Sequence, residues 1–339
     1  MNFSYLVRRI ADMDYKNMFH TVGKIHERTG KNRVVLFVDM VWCGFCYLAG
    51  YADYDLFQFY RLNAAQRATY LTRGKNNQAV RCFNNPDYTY LFEDKAQFNQ
   101  KFSSFIHRES IDLKKSSVNE FADFLERHPT VIAKPADGIC GRGVLKTSLS
   151  DFLDAQDMYR FLTESGRTLI EQVIEQQEDI SAIYPNSVNT LRIVTILKED
   201  GIADVVFSSI RIGNHGSFVD NLNSGGMSAL IDSTTGTIIK AGEDKDLITY
   251  DTHPMTGKPI VGFTVPMFDK AIELCKQAAT VVPQIRYVAW DVAMTNDGPE
   301  LIEGNTFPGH DIMQLSSQRE NGIGILPVFQ KYMAFSTLI

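Results

Sequence analysis

The stretch Tyr287-Val-Ala-Trp-Asp-Val-Ala-Met-Thr-Asn-Asp-Gly-Pro-Glu-Leu-Ile-Glu-Gly-Asn-Thr-Phe-Pro-Gly309 decides how the rest of the chain is read. It forms two short strands joined at Asn296-Asp297-Gly298, a turn whose small polar residues tolerate positive φ. Asp291 lies on the first strand, and Glu303 and Asn305 on the second. Side chains alternate faces along a strand, so Glu303 and Asn305 point the same way, and a hairpin can set Asp291 opposite them. Two carboxylates and an amide on one surface, with room for phosphates and water, suit Mg²⁺ better than zinc. The simpler reading of the stretch by itself is a polar hairpin at a sheet edge.

The chain has 339 residues, enough for two or three packed subdomains around a sizeable core. Its 44% hydrophobic and 22% charged content is that of an ordinary globular protein. A net charge of −6 argues against a nucleic-acid partner. Charge is unevenly spread: residues 1–115 hold 17 Lys/Arg against 11 Asp/Glu, and the remainder 17 against 29. The basic excess could meet an anionic partner or a membrane surface, but it is scattered along the sequence. Five cysteines (Cys43, Cys46, Cys82, Cys140 and Cys275), odd in number and mostly isolated, fit a reducing compartment. Met1–Ile10 carries charges with no apolar run behind it, so no secretory leader is expected and the location is read as cytoplasmic. The longest apolar run, Val34–Gly50, contains Asp39 and is too short to span a bilayer. It is expected to be a buried helix, with no integral membrane segment in the chain.

Residues 1–30 have a helical apolar face (Phe3, Leu6, Val7, Ile10, Met18, Val22, Ile25) that stops at Thr29-Gly30. Val34–Ala49 and the aromatic-rich Asp55–Leu71 are expected to be further helices, and Asn85-Pro86 breaks this helical lead. Asp94–Phe102 reads as a helix, and Ser117-Val-Asn-Glu120 as a capping box whose helix ends at His128-Pro129. Thr130–Ala133 and Thr168–Ile174 read as strands around a helix at Ser150–Glu164. Leu191–Leu197, Val205–Arg211 and Met227–Ile231 read as antiparallel strands, Pro266–Thr280 as an amphipathic helix, and the closing segments as helical.

Several clusters could carry chemistry. Lys134-Pro is followed by Gly138, Gly141 and Gly143 between two strand-like runs. Such glycines let backbone N–H groups approach phosphate oxygens, and the lysine adds a point charge. The loop is neither a Walker A motif nor a dinucleotide fingerprint, and a plain hairpin turn is its simpler reading. Leu169–Glu178 sets Glu171 and Glu178 around an apolar strand end. A strand running into a linker can offer backbone groups to an adenine edge and a carboxylate to ribose, although a solvated charge cluster is the simpler alternative. Trp42-Cys-Gly-Phe-Cys46 looks like a redox dithiol, but the helical, aromatic sequence after it cannot supply a thioredoxin core, and buried thiols are favoured. The seven histidines have no metal-ligand spacing, and His310 beside the hairpin is open between a surface and a catalytic role. No Gly-x-Ser-x-Gly elbow is present.

The order of these motifs carries more than any one of them. It runs Asp94-Lys95, Lys134-Pro with its glycines, Glu171 to Glu178, Asn189-Thr-Leu-Arg192, Arg211, Asn221-Leu-Asn-Ser-Gly-Gly226, and Asp291 to Glu303-x-Asn305. From about Tyr88 onward this resembles the ATP-grasp ligase superfamily. Its final segment is similar to that of ribosomal-protein glutamate ligases and D-alanine–D-alanine ligases. The whole chain, with its aromatic-rich lead, resembles most the sugar-transfer-associated ATP-grasp family, which is found with polysaccharide genes.

The resemblance implies an α+β architecture. An ATP-grasp domain over 87–339, with subdomains 87–175 and 176–339 sandwiching ATP, would follow a helical region over 1–86. It implies that Lys95 and Lys134 hold ATP phosphates under the loop Gly138–Gly143, and that Glu171, Gln172, Ile174 and Glu178 contact adenine and ribose. Asp291, Glu303 and Asn305 would hold Mg²⁺. Arg192 and Arg211 would lie near the phosphoryl group and acyl substrate, with Asn221, Gly225 and Gly226 forming a substrate-proximal turn. The activity implied is carboxylate–amine ligation through an acyl phosphate. The partners would be small-molecule carboxylate and amine substrates, with a sugar link suggested by the family. A kinase acting on a hydroxyl and a non-catalytic nucleotide-binding scaffold are the alternatives. One position departs from the D-alanine–D-alanine ligases: Ala289 stands where they have an arginine two residues before the first metal aspartate.

Overall fold

The computed structural model describes residues 14–135 and 143–335, which fold into two compact units. Gly138, Gly141 and Cys140, and the expected apolar face at Phe3, Leu6, Val7 and Ile10, lie outside the described residues.

The first unit comprises the chain up to Phe83 together with 245–249 and the segment from Gly309 onward. It opens with helices Tyr15–Thr29 and Arg33–Cys46, separated by Gly30 in the left-handed conformation (φ 70°) and capped again by Asn32, whose side chain accepts from Val34 N and Val35 N. Met18, Val22, Ile25, Leu36, Met40 and Cys43 form their shared apolar seam. The second helix is buried on that seam alone: Val34 and Trp42 on its other side are 71% and 57% exposed, contrary to the expectation of a buried helix. The helix expected over Asp55–Leu71 is also broken. Gln58 adopts φ 51°, and the chain continues as Phe59–Arg61 and, capped by Asn63, as Ala64–Ala68. A continuous helix would turn Phe59 away from Phe57 and Tyr60, whereas the turns bury all three.

The closing segment holds onto this unit through backbone-like hydrogen bonds. Gln314 is fully buried; its Oε1 accepts from Leu71 N at 3.1 Å and its Nε2 donates to Leu71 O at 2.7 Å. His310, left open in sequence, is only 5% exposed and its Nε2 lies 2.7 Å from Asp53 Oδ1. The closing segment makes short 3₁₀ turns at Ile312–Gln314, Ser316–Gln318 and Glu320–Gly322 and one brief helix at Leu326–Phe329, with irregular chain between them. Cys43 and Cys46 sit at the C-terminal end of their helix, and burial pushes the Cys43 thiol up to about 12 against the pull of Arg67. A helix C-terminus disfavours thiolate, so the geometry opposes a nucleophilic dithiol.

The second unit contains two antiparallel sheets. The smaller runs, in spatial order, through Ser110–Asp112, Leu169–Gln172, Thr130–Lys134 and Leu145–Ser148. Helices Val118–Arg127 and Ala155–Glu164 cover it, and Phe121, Phe124, Met158 and Leu162 meet Val131, Ala133 and Ile170 in its core. The Ser117–Glu120 capping box is present: Ser117 N donates to Glu120 Oε2 at 2.7 Å, and Glu120 N donates to Ser117 Oγ at 3.3 Å. The larger sheet runs Gly298–Asn305, Tyr287–Thr295, Leu191–Leu197, Ala203–Ile212, Met227–Leu230 and Gly242–Asp244. Helix Phe268–Ala279 packs against it.

The hairpin that decided the reading is the edge and next-to-edge pair of this sheet, turning at Asn296-Asp297. Its inner strand is flanked on both sides, which explains why Tyr287 through Met294 are all buried. Trp290 anchors it, with Nε1 donating to Thr195 Oγ1 at 2.9 Å and the ring against Phe92 and Phe102. Opposite, Gly304 leaves space for those rings, since a Cβ there would come within 2.9 Å of Phe92 and Trp290.

Candidate functional site

Asp291 and Glu303 are direct cross-strand partners, and a bulge follows between Asp291 and Val292. Bulges of this kind re-aim side chains. Both carboxylates line a cavity of about 250 Å³ in the second unit. Asn305, two residues on, faces the same way: its Nδ2 donates to Glu303 Oε1 at 3.3 Å, although it is not part of the cavity wall.

Two guanidinium groups surround Asp291. Arg192, directly across the sheet from it, places Nε 2.6 Å from Oδ1, and Arg211 places Nη2 3.1 Å from Oδ2. Arg211 is fixed further by Asp220 at 3.1 Å and by Thr190 Oγ1, which accepts from its Nε at 3.0 Å. Thr190 also donates through N–H and hydroxyl to Asp220. Burial pushes the Asp291 carboxyl up to about 7 against the pull of Arg192 and Arg211. Arg211 is held above its usual range because Asp220, Asp291 and Glu303 outweigh its desolvation. Where Ala289 lacks a guanidinium, these two arginines place positive charge beside the aspartate from neighbouring strands.

The small sheet and the helix that precedes it contribute further lining residues. Lys134 ends its strand with Nζ 2.5 Å from Glu171 Oε2, and Lys95 lines the cavity from the first turn of helix Lys95–Lys101, which is capped by Asp94. Glu171 is 2% exposed and accepts from Arg108 Nε at 3.1 Å and from Asn99 Nδ2 at 3.1 Å. Burial alone would raise its pKa, but Arg108 and Lys134 hold it below the usual carboxylate range. Arg108 is buried as well, donating to Leu301 O at 2.6 Å and Ile302 O at 3.3 Å. Glu300 accepts from His107 N and Arg108 N. This network ties the small sheet to the hairpin strand that carries Glu303.

The predicted residues are thus largely brought together: Lys95, Lys134, Glu171, Gln172, Ile174, Arg211, Asn221, Asp291 and Glu303 all line one cavity. Gln172 is partly committed elsewhere, its N–H donating to Glu109 O at 2.9 Å. Glu178 is not brought in. It stands exposed at the start of the short helix Glu178–Ser181, away from the cavity lining. Gly225 and Gly226 shape the turn instead of lining the cavity. Gly225 has φ 88°, and a Cβ on Gly226 would fall 2.4 Å from Asp220 O. Gly143 also has positive φ (77°), and its carbonyl accepts from Arg167 Nε at 2.7 Å. Sequence reading missed Arg108 and Asp220, and gave Thr190 no role although it lies within Asn189-Thr-Leu-Arg192. Asp220 adjoins the singled-out Asn221, whereas nothing local distinguishes Arg108 from a surface arginine.

Together, the two antiparallel sheets, the lysine-bearing wall and the acidic hairpin define an ATP-grasp fold. The chain belongs to the sugar-transfer associated ATP-grasp family, which residues 75–331 match. Among solved structures it is similar to the ATP-grasp ligase PsnB complexed with minimal precursor, at 13% identity over 79% of this chain and 70% of that one, TM-score 0.45. It is similar also to D-alanyl-alanine synthetase A from Vibrio cholerae O1 biovar eltor, at 13% identity over 74% and 67%, TM-score 0.43. A third likeness is to the ADP complex of purK, N5-carboxyaminoimidazole ribonucleotide synthetase, at 11% identity over 70% of this chain and 53% of that one, TM-score 0.41. No curated protein matches the chain.

Proposed function

We propose that the protein is an ATP- and Mg²⁺-dependent carboxylate–amine ligase working through an acyl phosphate, with a sugar-linked metabolite in polysaccharide assembly as one of its substrates. The observation that carries this reading is the pair Asp291 and Glu303, held in register and lining one cavity together with Lys95 and Lys134. Family membership supports the nucleotide, and its description supports the sugar link.

The residues present fit the cofactors. Among the described residues no group of three His, Cys, Asp or Glu stands together as a metal cage. Mg²⁺ needs none, because it typically takes one or two carboxylates plus phosphate oxygens and water. Asp291 and Glu303, with Asn305 beside them, supply hard oxygen donors of that kind. A cation there would also favour the charged form of an aspartate that burial otherwise pushes toward neutrality. Ile132, Val144, Val173 and Ile174 give the cavity an apolar side suited to a flat base.

When bound, MgATP supplies the phosphoryl group that activates a carboxylate for attack by an amine. The chain's own residues position and stabilise. Lys134, fixed by Glu171, and Lys95 hold phosphate oxygens. Arg211, fixed by Asp220 and Thr190, presents positive charge where negative charge develops, and needs no reorganisation to do so. No protein nucleophile is required.

The test is ADP release with Mg²⁺ across a panel of carboxylates and amines, with hydroxylamine present to trap an acyl phosphate. Carboxylate-dependent release yielding a hydroxamate supports the ligase. Release that depends on a hydroxyl acceptor and gives a phosphate ester makes the protein a kinase, and nucleotide binding with no turnover across the panel makes it a scaffold.

A further inference from the structure

The helix Arg33–Cys46 turns an uncharged face outward. At 100° per residue, Val34, Val35, Val38 and Trp42 share one side, opposite the buried Leu36, Met40 and Cys43. These four are 71%, 64%, 61% and 57% exposed. The face continues onto the preceding helix, where Phe19, 60% exposed, stacks on Phe37 with ring centroids 4.8 Å apart and planes within 4°. Apolar surface of this extent normally marks an interaction site.

Its surroundings say what kind. Lys31 and Arg33 stand exposed at the start of the helix that bears the face, and Lys16 and Lys24 on the outward row of the helix that bears Phe19. None of the four is paired with a carboxylate among the described residues. The other charges nearby are neutralised inward: Arg28 pairs with Asp55, and Asp39 with Arg67 at 2.7 Å. Against the four cations stand the exposed Glu27 and the capping Asp14, so this surface is positive in a chain of net charge −6.

We propose that this face docks the protein onto an anionic lipid bilayer surface. Two packed helices that bring Val, Trp and Phe to one surface, with exposed cations at their ends and outer row, have the composition of an interfacial site: the apolar side chains enter the headgroup boundary and the cations meet lipid phosphates. Helix Arg33–Cys46 lies on the membrane and does not cross it. Fourteen residues extend about 21 Å, short of the roughly 30 Å hydrocarbon core. No helix among the described residues is long and apolar enough to span.

The protein carries its own probe. It has two tryptophans, of which Trp290 is fully buried and Trp42 exposed, so a change in emission reports on the patch. The full chain is mixed with phosphatidylcholine vesicles with and without roughly a third phosphatidylglycerol, and partition is read by flotation and by the blue shift of Trp42. Saturable binding to the anionic vesicles is expected, weakened when salt rises from about 0.1 M to 1 M and the Debye length falls from about 10 Å to 3 Å. Val38→Asp should reduce partition about tenfold or more. Neutralising Lys31 and Arg33 together to Gln should reduce it roughly thirtyfold, from about 1 kcal/mol per basic residue near the surface. Both variants should keep the wild-type melting temperature. Failure of the wild-type chain to bind anionic vesicles overturns the proposal, as does equal binding to neutral ones. A dimer that V38D dissociates, without vesicle binding, assigns the face to a second copy.

Discussion

Replacing Arg108 by Met removes a cation that nothing in the linear sequence marks as important. In the folded protein its guanidinium neutralises Glu171 at 3.1 Å and satisfies the carbonyls of Leu301 and Ile302, with Glu300 a further 3.5 Å partner. Arg108 and Glu171 are both nearly inaccessible, with side-chain exposures of 2% and 3%. Removing one member of a buried pair typically costs about 3–5 kcal/mol, and each buried carbonyl left unsatisfied about 1–3 kcal/mol. Because Lys134 and Asn99 still reach Glu171, the lower end, about 5 kcal/mol in all, is expected for R108M. Glu171→Gln in the same background should recover part of this, with a coupling of about 1.5 kcal/mol or more between the two sites.

The acid response should move in a definite direction. Glu171 is held below the usual carboxylate range, so its contribution to stability is present above its unfolded value of about 4.3 and is lost as pH falls toward the depressed folded one. Without Arg108 the folded value rises toward the unfolded one, so the loss below about pH 4.3 becomes smaller and is complete at a higher pH than in the wild-type chain. Urea denaturation of the wild-type, single-variant and double-variant chains between about pH 2 and 8, followed by nucleotide titration at neutral pH, measures both effects. A loss below about 1 kcal/mol for R108M, or strict additivity with E171Q, would refute the view that Arg108 positions Glu171 and, through it, Lys134.

Other outcomes follow from the same geometry. Glu303→Gln removes a full charge from the proposed metal pair, so Mg²⁺-dependent ATP turnover should fall by orders of magnitude while thermal melting stays near wild type. Turnover at the wild-type level would show that the hairpin does not hold the ion. Gly226→Ala sets a Cβ 2.4 Å from Asp220 O and must shift the residue that fixes Arg211. A loss of about 1–3 kcal/mol from overpacking is expected by differential scanning calorimetry, with a drop in turnover larger than stability explains. Cys46→Ser should leave ATP turnover nearly unchanged, and a large loss with melting unaltered would reopen a redox role.

What the sequence determined by itself was local and periodic. The hairpin turn at Asn296-Asp297-Gly298, the same-face placement of Glu303 and Asn305, and the capping box at Ser117 follow from backbone hydrogen bonding and side-chain alternation within a few residues. The order of the lysine, glycine, arginine and carboxylate motifs named the fold, because a shared chain order survives where individual motifs are loose. Tertiary structure decided the rest. Gln58 leaves the helical conformation because neighbouring aromatics must reach one core. Gln314 pairs with a backbone 243 residues away, and Arg108 with a carboxylate 63 residues away. Glu178 stands exposed to solvent, as the plain reading of its charge cluster had it and apart from the cavity to which the resemblance assigned it, and the apolar run read as a buried helix keeps one side bare. Burial and long-range pairing depend on which surfaces meet, and a linear pattern shows that a residue is apolar or charged without showing what it will face.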